Sequence, residues 1–248
     1  MDQVKHSLNT LNHYADAFRN MVNACVRLRG EPVARLKLEK ELDWSFLCVA
    51  MDILGDASLA IGNVLVFGLD GPTRYNNDGE KYLRLYGLLG ATYSQQRAAL
   101  KLHKLTNCPN VNGLGEKARR LRATILRHQI AAHSLDNLDE SGRVTAAFVP
   151  VRIELGGFNC TVTQNRGDTF ERHDLLEDIR EHCDFVVTVL DEVFAKCAGT
   201  FFKEDAPRHA EHLRTLQGLR GIRDGDVVMH AGDIRIVVNA VKPKGAGP

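Results

Sequence analysis

The sequence predicts an α+β protein in which helices predominate. Apolar residues recur every third or fourth position over most of residues 4–135 and 173–219, which is the period of an amphipathic helix. From Arg143 the period changes to two, as in a β-strand. The chain has 248 residues, of which 44% are hydrophobic and 25% charged, enough for a sizeable core without disulfides or metal. We therefore expect an antiparallel helical bundle with an inserted β-hairpin and a second hairpin near the C-terminus.

The first half of the chain contains three long predicted helices. The first covers 4–29 and ends where Gly30 and Pro32 break the pattern. The second covers about 36–67. A loop rich in Gly, Pro, Asn and Asp follows at 68–79, and the third helix covers 80–105.

The second half mixes helices with hairpins. A fourth helix is predicted over 115–135, a hairpin over 143–164, a fifth helix over 173–199, a charged helix over 206–219 and a last hairpin before a loose tail. We expect residues 1–202 to form the helical bundle domain, with its hairpin at 143–164. Residues 203–248 would then be a C-terminal extension.

Charge is segregated along the chain although the net charge is only +1. From Arg97 to His128 there are eight Lys or Arg residues and one acid, a local charge of +7. From Leu135 to Asp205 there are fifteen acids and seven Lys or Arg, a local charge of −8. The basic stretch could hold a phosphate backbone, and the acidic one could pair with it; alternatively, both are solvated faces.

Several classes of protein are disfavoured by missing motifs. The run GLGEK at 113–117 follows no strand and lacks the Lys-Ser/Thr of a nucleotide triphosphate loop. His209 and His212 have no HExxH or Cys-rich partners, and the six cysteines form no CxxC pair. We therefore expect no metal and no cofactor, and reduced thiols that pack as core residues. The N-terminus has no apolar signal segment, and no run reaches about 20 apolar residues, so we expect a cytoplasmic protein without a membrane contact.

The most informative stretch is LRATILRHQIAAHSLDN, residues 121–137. Its Arg127-His128 pair, the spacer Gln-Ile-Ala-Ala and His133 resemble the Arg, polar residue, short spacer, His motif of the HEPN (higher eukaryotes and prokaryotes nucleotide-binding) families. These are helical dimers that include many RNA-cleaving toxins. The run at 78–96 is also similar to bacterial proteins related to abortive-infection HEPN types.

This resemblance implies a metal-independent endoribonuclease, a toxin or defence component, that acts as a homodimer and leaves 2′,3′-cyclic phosphate and 5′-OH ends. It implies Arg127, His133 and His128 as catalytic residues, and an antitoxin protein as a possible partner. The neighbouring basic residues would bind flanking RNA phosphates; they are Lys117, Arg119, Arg120 and Arg122.

The chemistry suits these residue types. A histidine can accept or donate a proton near neutral pH, and an arginine stays charged and stabilises a phosphorane-like transition state. Six positions on an ideal helix advance by about 600°, so Arg127 and His133 would lie about 120° apart. Two copies meeting across a two-fold axis could bring both residues of both chains into one cleft.

Other interpretations remain open at this point. Arg127 could pair with Asp136 or another carboxylate, and His133 could satisfy the carbonyls of a helix C-terminus. Tyr82, Tyr86 and Tyr93 are interpreted as packing residues rather than as a stacking platform for RNA. The alternative functions are a non-catalytic HEPN module that binds nucleotide, RNA or a partner protein, and a helical scaffold for self-association.

Overall fold

The computed structural model describes residues 1–27, 31–73, 77–132, 134–138, 142–165, 167–225, 227–231 and 234–238, the last two as backbone only. These ranges contain eight α-helices: α1 (Asp2–Arg27), α2 (Pro32–Arg35), α3 (Glu41–Phe67), α4 (Asp78–Leu105), α5 (Val111–Arg119), α6 (Arg122–Arg127), α7 (Leu175–Phe201) and α8 (Ala206–Arg223). They also contain seven strands: β1 (Asn137–Leu138), β2 (Val144–Ala146), β3 (Phe148–Pro150), β4 (Asn159–Gln164), β5 (Thr169–Asp174), β6 (Val227–Ala231) and β7 (Ile234–Val238). The prediction of a mostly helical α+β protein is confirmed.

Local signals explain where the long helices begin. The side chain of Asn77 accepts hydrogen bonds from the first turn of α4, and that of Asp174 does the same for α7. The predicted helix over 36–67 begins late, because Lys37 has a left-handed backbone with φ of 53°. The carboxylate of Asp43 then accepts the backbone N–H of Lys40 at 3.1 Å, which fixes the start of α3 at Glu41.

Helices α1, α3, α4 and α7 form a four-helix bundle around one apolar core. Helices α3 and α4 run antiparallel: Gln95 in the middle of α4 donates to the Leu54 carbonyl, whereas Arg84 near its start donates to Asn63 further along α3. The two helices therefore form a helical hairpin.

Helix α7 departs from the predicted antiparallel arrangement, because it runs parallel to both α1 and α4. Side-chain hydrogen bonds at matching depths show the direction: Ser7 with Asp184, Tyr14 with Asp191, Gln95 with His182 and His103 with Glu192. The connection from α4 to α7 must therefore return along the bundle. That connection carries α5, α6 and the sheet, and it contains the residues of the predicted site.

The predicted helix over 115–135 is wrong as a single element. Helix α5 begins earlier, at Val111, and ends at Arg119; Leu121 is extended, with φ of −61° and ψ of 135°. The break has a side-chain partner, since the buried Gln96 amide donates to the Ala118 carbonyl at 2.7 Å and to the Thr124 hydroxyl at 3.1 Å. Helix α6 follows, and from His128 to Ala132 the chain forms a π-helical turn, called the π turn below.

The predicted hairpin over 143–164 is part of a larger pattern. Strands β3 and β4 pair antiparallel as expected, but β4 also pairs with β5, and β2 pairs with β1. Strand β5 was missed because His173 is its one buried side chain, so it lacks apolar alternation. The sheet is tied to the end of α3, where the Leu69 N–H donates to the Gly157 carbonyl at 2.8 Å.

The C-terminal segment begins with α8, which packs on α1 and α7 and places Leu216 and Leu219 in the common core. The predicted hairpin after it is confirmed by the antiparallel pair of β6 and β7. The division into domains 1–202 and 203–248 stays a prediction. The predicted tail, 242–248, lies outside the described residues.

Helix α3 is long and apolar enough to cross a membrane by length and composition alone. Within its most apolar window 44% of the residues are buried in the protein, and residues such as Leu54 and Ile61 belong to the bundle core. The helix also carries exposed apolar side chains, among them Leu59 and Val66.

Candidate functional site

Arg127, the last residue of α6, is half-buried against α4. Its guanidinium lies over the ring of Tyr93, with the central carbon 3.8 Å from the ring centroid. No carboxylate among the described residues forms an ion pair with Arg127, so the alternative pairing with Asp136 is not observed. Tyr93, interpreted from the sequence as a packing residue, packs against the cation that is predicted to be catalytic.

The π turn begins directly after Arg127. A π turn closes i to i+5 hydrogen bonds, so residues after Arg127 do not follow the 100° steps of an α-helix. His128 is half-buried at its first position. His133 lies outside the described residues, and its convergence with Arg127 therefore stays a prediction. Such turns are rare and occur frequently at functional sites.

A chain of polar side chains connects the π turn to the sheet and to α7. The amide of Gln129 donates to Glu171 at 2.9 Å, and the other oxygen of Glu171 lies 3.4 Å from Nε2 of His173. Nδ1 of His173 lies 3.4 Å from Asp178, and both of these side chains are buried. None of these four residues was identified as a site residue from the sequence. Gln129 lies in the π turn itself, but Glu171, His173 and Asp178 follow it by 42 to 49 positions, and a contact over that distance leaves no local sequence pattern.

Arg122, predicted to bind phosphate, lies against the first two turns of α7. Its guanidinium is 3.2 Å from Asp178, 3.3 Å from Glu177 and 3.4 Å from Glu181, and its backbone N–H also donates to Glu181. Asp178 is buried, so Arg122 supplies the positive charge beside a carboxylate that water cannot reach. This arrangement fixes the start of α6 and compensates the charge of Arg122.

The other predicted phosphate-binding residues surround the break between α5 and α6. Lys117, Arg119 and Arg120 are all exposed. Arg119 forms an ion pair with Glu116, whereas Lys117 and Arg120 have no ion pair within the described ranges. Lys117 and Arg120 are therefore the two of this set whose charge is free to meet an anion.

Of the two histidines considered as metal ligands, His209 and His212, the second has a packing role. The His212 ring lies 4.4 Å from the Phe202 ring, between centroids, and its burial lowers the pKa of that imidazole. Among the residues that the structure describes, no three His, Cys, Asp or Glu side chains are grouped so that they could hold a metal ion.

A cavity of about 630 Å³ lies between α3 and α4, and Arg127 does not line it. Its lining is mainly apolar, including Val64, Leu83 and Leu88, and its charged residues Glu80 and Arg84 bind each other at 3.2 Å. It offers no unpaired catalytic group. Comparisons of this chain with known protein families, with curated proteins and with solved structures gave no match.

Proposed function

We propose that this protein is a metal-independent endoribonuclease of the HEPN type that works as a homodimer. The observation that carries the proposal is the placement of Arg127: its guanidinium has no carboxylate partner among the described residues, stacks on Tyr93 and immediately precedes the π turn. A structural arginine normally pairs with a carboxylate, as Arg122 does in the same helix.

The proposed reaction uses side chains alone. His133 of one subunit removes the proton of a ribose 2′-OH, and the 2′ oxygen attacks the adjacent phosphorus. The bond from phosphorus to the 5′ oxygen breaks, and the leaving oxygen takes a proton from His133 of the other subunit. Arg127 neutralises the charge that develops on the phosphoryl oxygens, and His128 adds a second polar contact. The products are a 2′,3′-cyclic phosphate and a 5′-OH.

Tyr93 has a positioning role in this scheme. Cation–π contact holds the guanidinium at 3.8 Å without neutralising it, so its N–H donors stay available to a phosphate. Replacement of Tyr93 by Phe keeps the ring and should keep activity. Replacement by Ala should lower kcat by tenfold or more, because a misplaced transition-state donor costs on that order.

The decisive experiment incubates the purified protein with total RNA in EDTA. Arg127→Ala and His133→Ala should each abolish cleavage while remaining folded and dimeric. Arg214→Ala and His13→Ala are matched controls, since both residues are exposed and lie outside the site; they should cut at the wild-type rate. Cleavage that survives in Arg127→Ala would refute the proposal, as would cleavage that EDTA abolishes.

A second candidate, a non-catalytic RNA-binding module, is favoured by the unpaired basic residues of α4 described below. It predicts that wild-type protein binds RNA without cutting it under all conditions tested. An antitoxin protein remains part of the proposal. A co-expressed protein would be identified as the antitoxin if it suppresses the toxicity of the wild type and does not change the growth of cells that express Arg127→Ala.

A further inference from the structure

A groove between α4 and α5 has a strongly basic lining. The cavity measures about 430 Å³, and four cationic side chains line it: Arg97, Lys101 and Lys104 from α4, and Arg119 from α5. One acid, Glu116, also lines it and forms an ion pair with Arg119. The net charge of the lining is therefore +3. We call this cavity the basic groove.

The cations of α4 continue from the proposed catalytic site. On an ideal helix Tyr93, Arg97, Lys101 and Lys104 fall within an arc of about 80°, and the twelve residues from Tyr93 to Lys104 span about 16 Å. Arg127 stacks on Tyr93 at one end of this row. A single face of α4 thus leads from the proposed catalytic arginine into the basic groove.

The positive charge of this row is not compensated within the protein. Elsewhere on the bundle, Arg84 contacts Glu80 and Arg220 contacts Asp191. Arg97, Lys101 and Lys104 form no ion pair with any carboxylate that the structure describes. Three like charges along one helix face repel one another, which costs stability unless an anion binds there.

Two features shape the groove for an anion. The ammonium of Lys101 lies 4.0 Å from the centroid of the Phe46 ring, a cation–π contact that holds it at the groove wall with its charge intact. The first residues of α5, Val111 and Asn112, also line the groove, so the N-terminal end of that helix, where the helix dipole favours an anion, borders it.

We propose that the basic groove binds the phosphodiester backbone of a single RNA strand and guides that strand toward Arg127. The choice of RNA rests on the proposed function, whereas the affinity for a phosphodiester backbone rests on the groove alone. Cation-lined grooves without bidentate base contacts bind strands with little sequence preference, and we expect that here.

The test measures binding of a fluorescent 2′-O-methyl oligoribonucleotide of about 12 nucleotides, within the range of known site sizes. This probe has the RNA backbone and cannot be cleaved through a 2′-OH. The groove variant is Arg97→Gln with Lys104→Gln. The matched control is Lys5→Gln with Arg214→Gln, which makes the same change in net charge at exposed positions away from the groove.

The expected result follows from counterion release. Each lost phosphate contact reduces the slope of log K against log salt by about 0.7 for a single strand, so the groove variant should lose about 1.4. At 0.1 M salt this corresponds to roughly 25-fold weaker binding. The control should bind as the wild type does.

Three results would overturn the inference: an equal loss in both double variants, no loss in either, or displacement of the probe by inorganic polyphosphate alone with no competition from unlabelled RNA. Cleavage of total RNA is read separately, in the wild type. If the wild type binds the probe in the groove and does not cleave RNA, the proposed function is refuted and the groove stands as an RNA site. If it cleaves RNA and the groove variant binds the probe as the wild type does, the groove inference is refuted and the proposed function stands.

Discussion

Acid should destabilise this protein through His182, a fully buried histidine of α7. Its Nε2 lies 2.9 Å from Oε1 of Gln95, whose amide nitrogen donates to the Leu54 carbonyl and to the Ser58 hydroxyl. The Gln95 oxygen must therefore accept, and His182 must carry its proton on Nε2. Protonation of Nδ1 would place a charge in the core, and burial accordingly lowers the pKa of His182 to about 4.

The size of the effect follows from linkage. The unfolded imidazole has a pKa of about 6.5, so below that pH the unfolded state binds a proton that the folded state rejects. The contribution of neutral His182 to the free energy of unfolding is therefore complete above pH 6.5 and is lost as the pH falls toward 4. Between pH 7 and pH 5 the free energy of unfolding should fall by about 2 kcal/mol from His182 alone.

Urea titrations of the wild type and His182→Gln at pH 7 and pH 5 measure this loss. The variant lacks the titrating group but keeps an amide that can donate to Gln95. The variant should be less stable than the wild type at pH 7. Its free energy of unfolding should fall by about 2 kcal/mol less than that of the wild type between pH 7 and pH 5. All other titratable groups are common to both proteins, so their contributions cancel in this comparison.

An identical pH dependence in the two proteins would refute this reasoning. If the variant does not fold, the imidazole resonances of the wild type give the same answer, because the His182 ring should remain neutral at pH 5. The result also bears on function: a cleavage rate that falls below pH 6 must be separated from this loss of folded protein before it is assigned to His133.

Three further predictions concern other parts of the molecule. Arg122→Ala should lower the free energy of unfolding by roughly 1–3 kcal/mol, because it leaves the buried carboxylate of Asp178 without the cation beside it. The control Arg120→Ala should change the free energy of unfolding by less than about 0.5 kcal/mol. Equal effects of the two variants in urea titrations would contradict the geometry. An aromatic disulfide reagent should modify the half-buried Cys48 first, and a fast phase that persists in Cys48→Ser would be the opposing result. Tyr14→Phe should cost about 1–2 kcal/mol in thermal or urea unfolding, because it removes the 2.7 Å hydrogen bond to the buried Asp191; an unchanged stability would contradict that bond.

The long helices could be predicted from the sequence because each buries a continuous apolar stripe. Helix α1 repeats its buried positions at steps of three and four, and it begins at Asp2, two residues before the predicted start. Its predicted end at residue 29 lies outside the described residues. The direction of α7 could not be predicted in this way, since amphipathic periodicity is the same for parallel and antiparallel neighbours. It depends on the length of the path from α4 to α7, which only the structure shows.

The break at Arg120 and Leu121 was missed for a related reason. The residues around it, LRATILR, are mainly the good helix formers Leu, Arg and Ala, and no Gly or Pro marks an end. The chain breaks because Gln96 and Glu181, from two other helices, bind groups at the junction. Tertiary contacts thus override local helix propensity at this junction. The local sequence did not predict the π turn that follows either.

The candidate site was predictable in part, since the Arg127 motif is local in sequence. Its partners were not: Tyr93 is 34 positions away, and Glu171 is 42 positions from the Gln129 that it binds. For the basic groove a signal was present, because Arg97, Lys101 and Lys104 follow helical spacing. Whether a carboxylate faces them is a property of the fold.

The basic stretch of the chain is neutralised by a neighbouring acidic segment at Arg122 but not at Arg97 and Lys104. At Arg122 the acidic start of α7 packs directly against the cation and neutralises it. At Arg97 and Lys104 the neighbouring element is α5, which offers one acid, and Arg119 already occupies that acid. The acidic segment thus neutralises Arg122, which packs on α7, and leaves Arg97, Lys101 and Lys104 positive. A protein that needed only solubility would gain nothing from concentrating unpaired charge in a concave surface next to Arg127, whereas one that holds a polyanion there would.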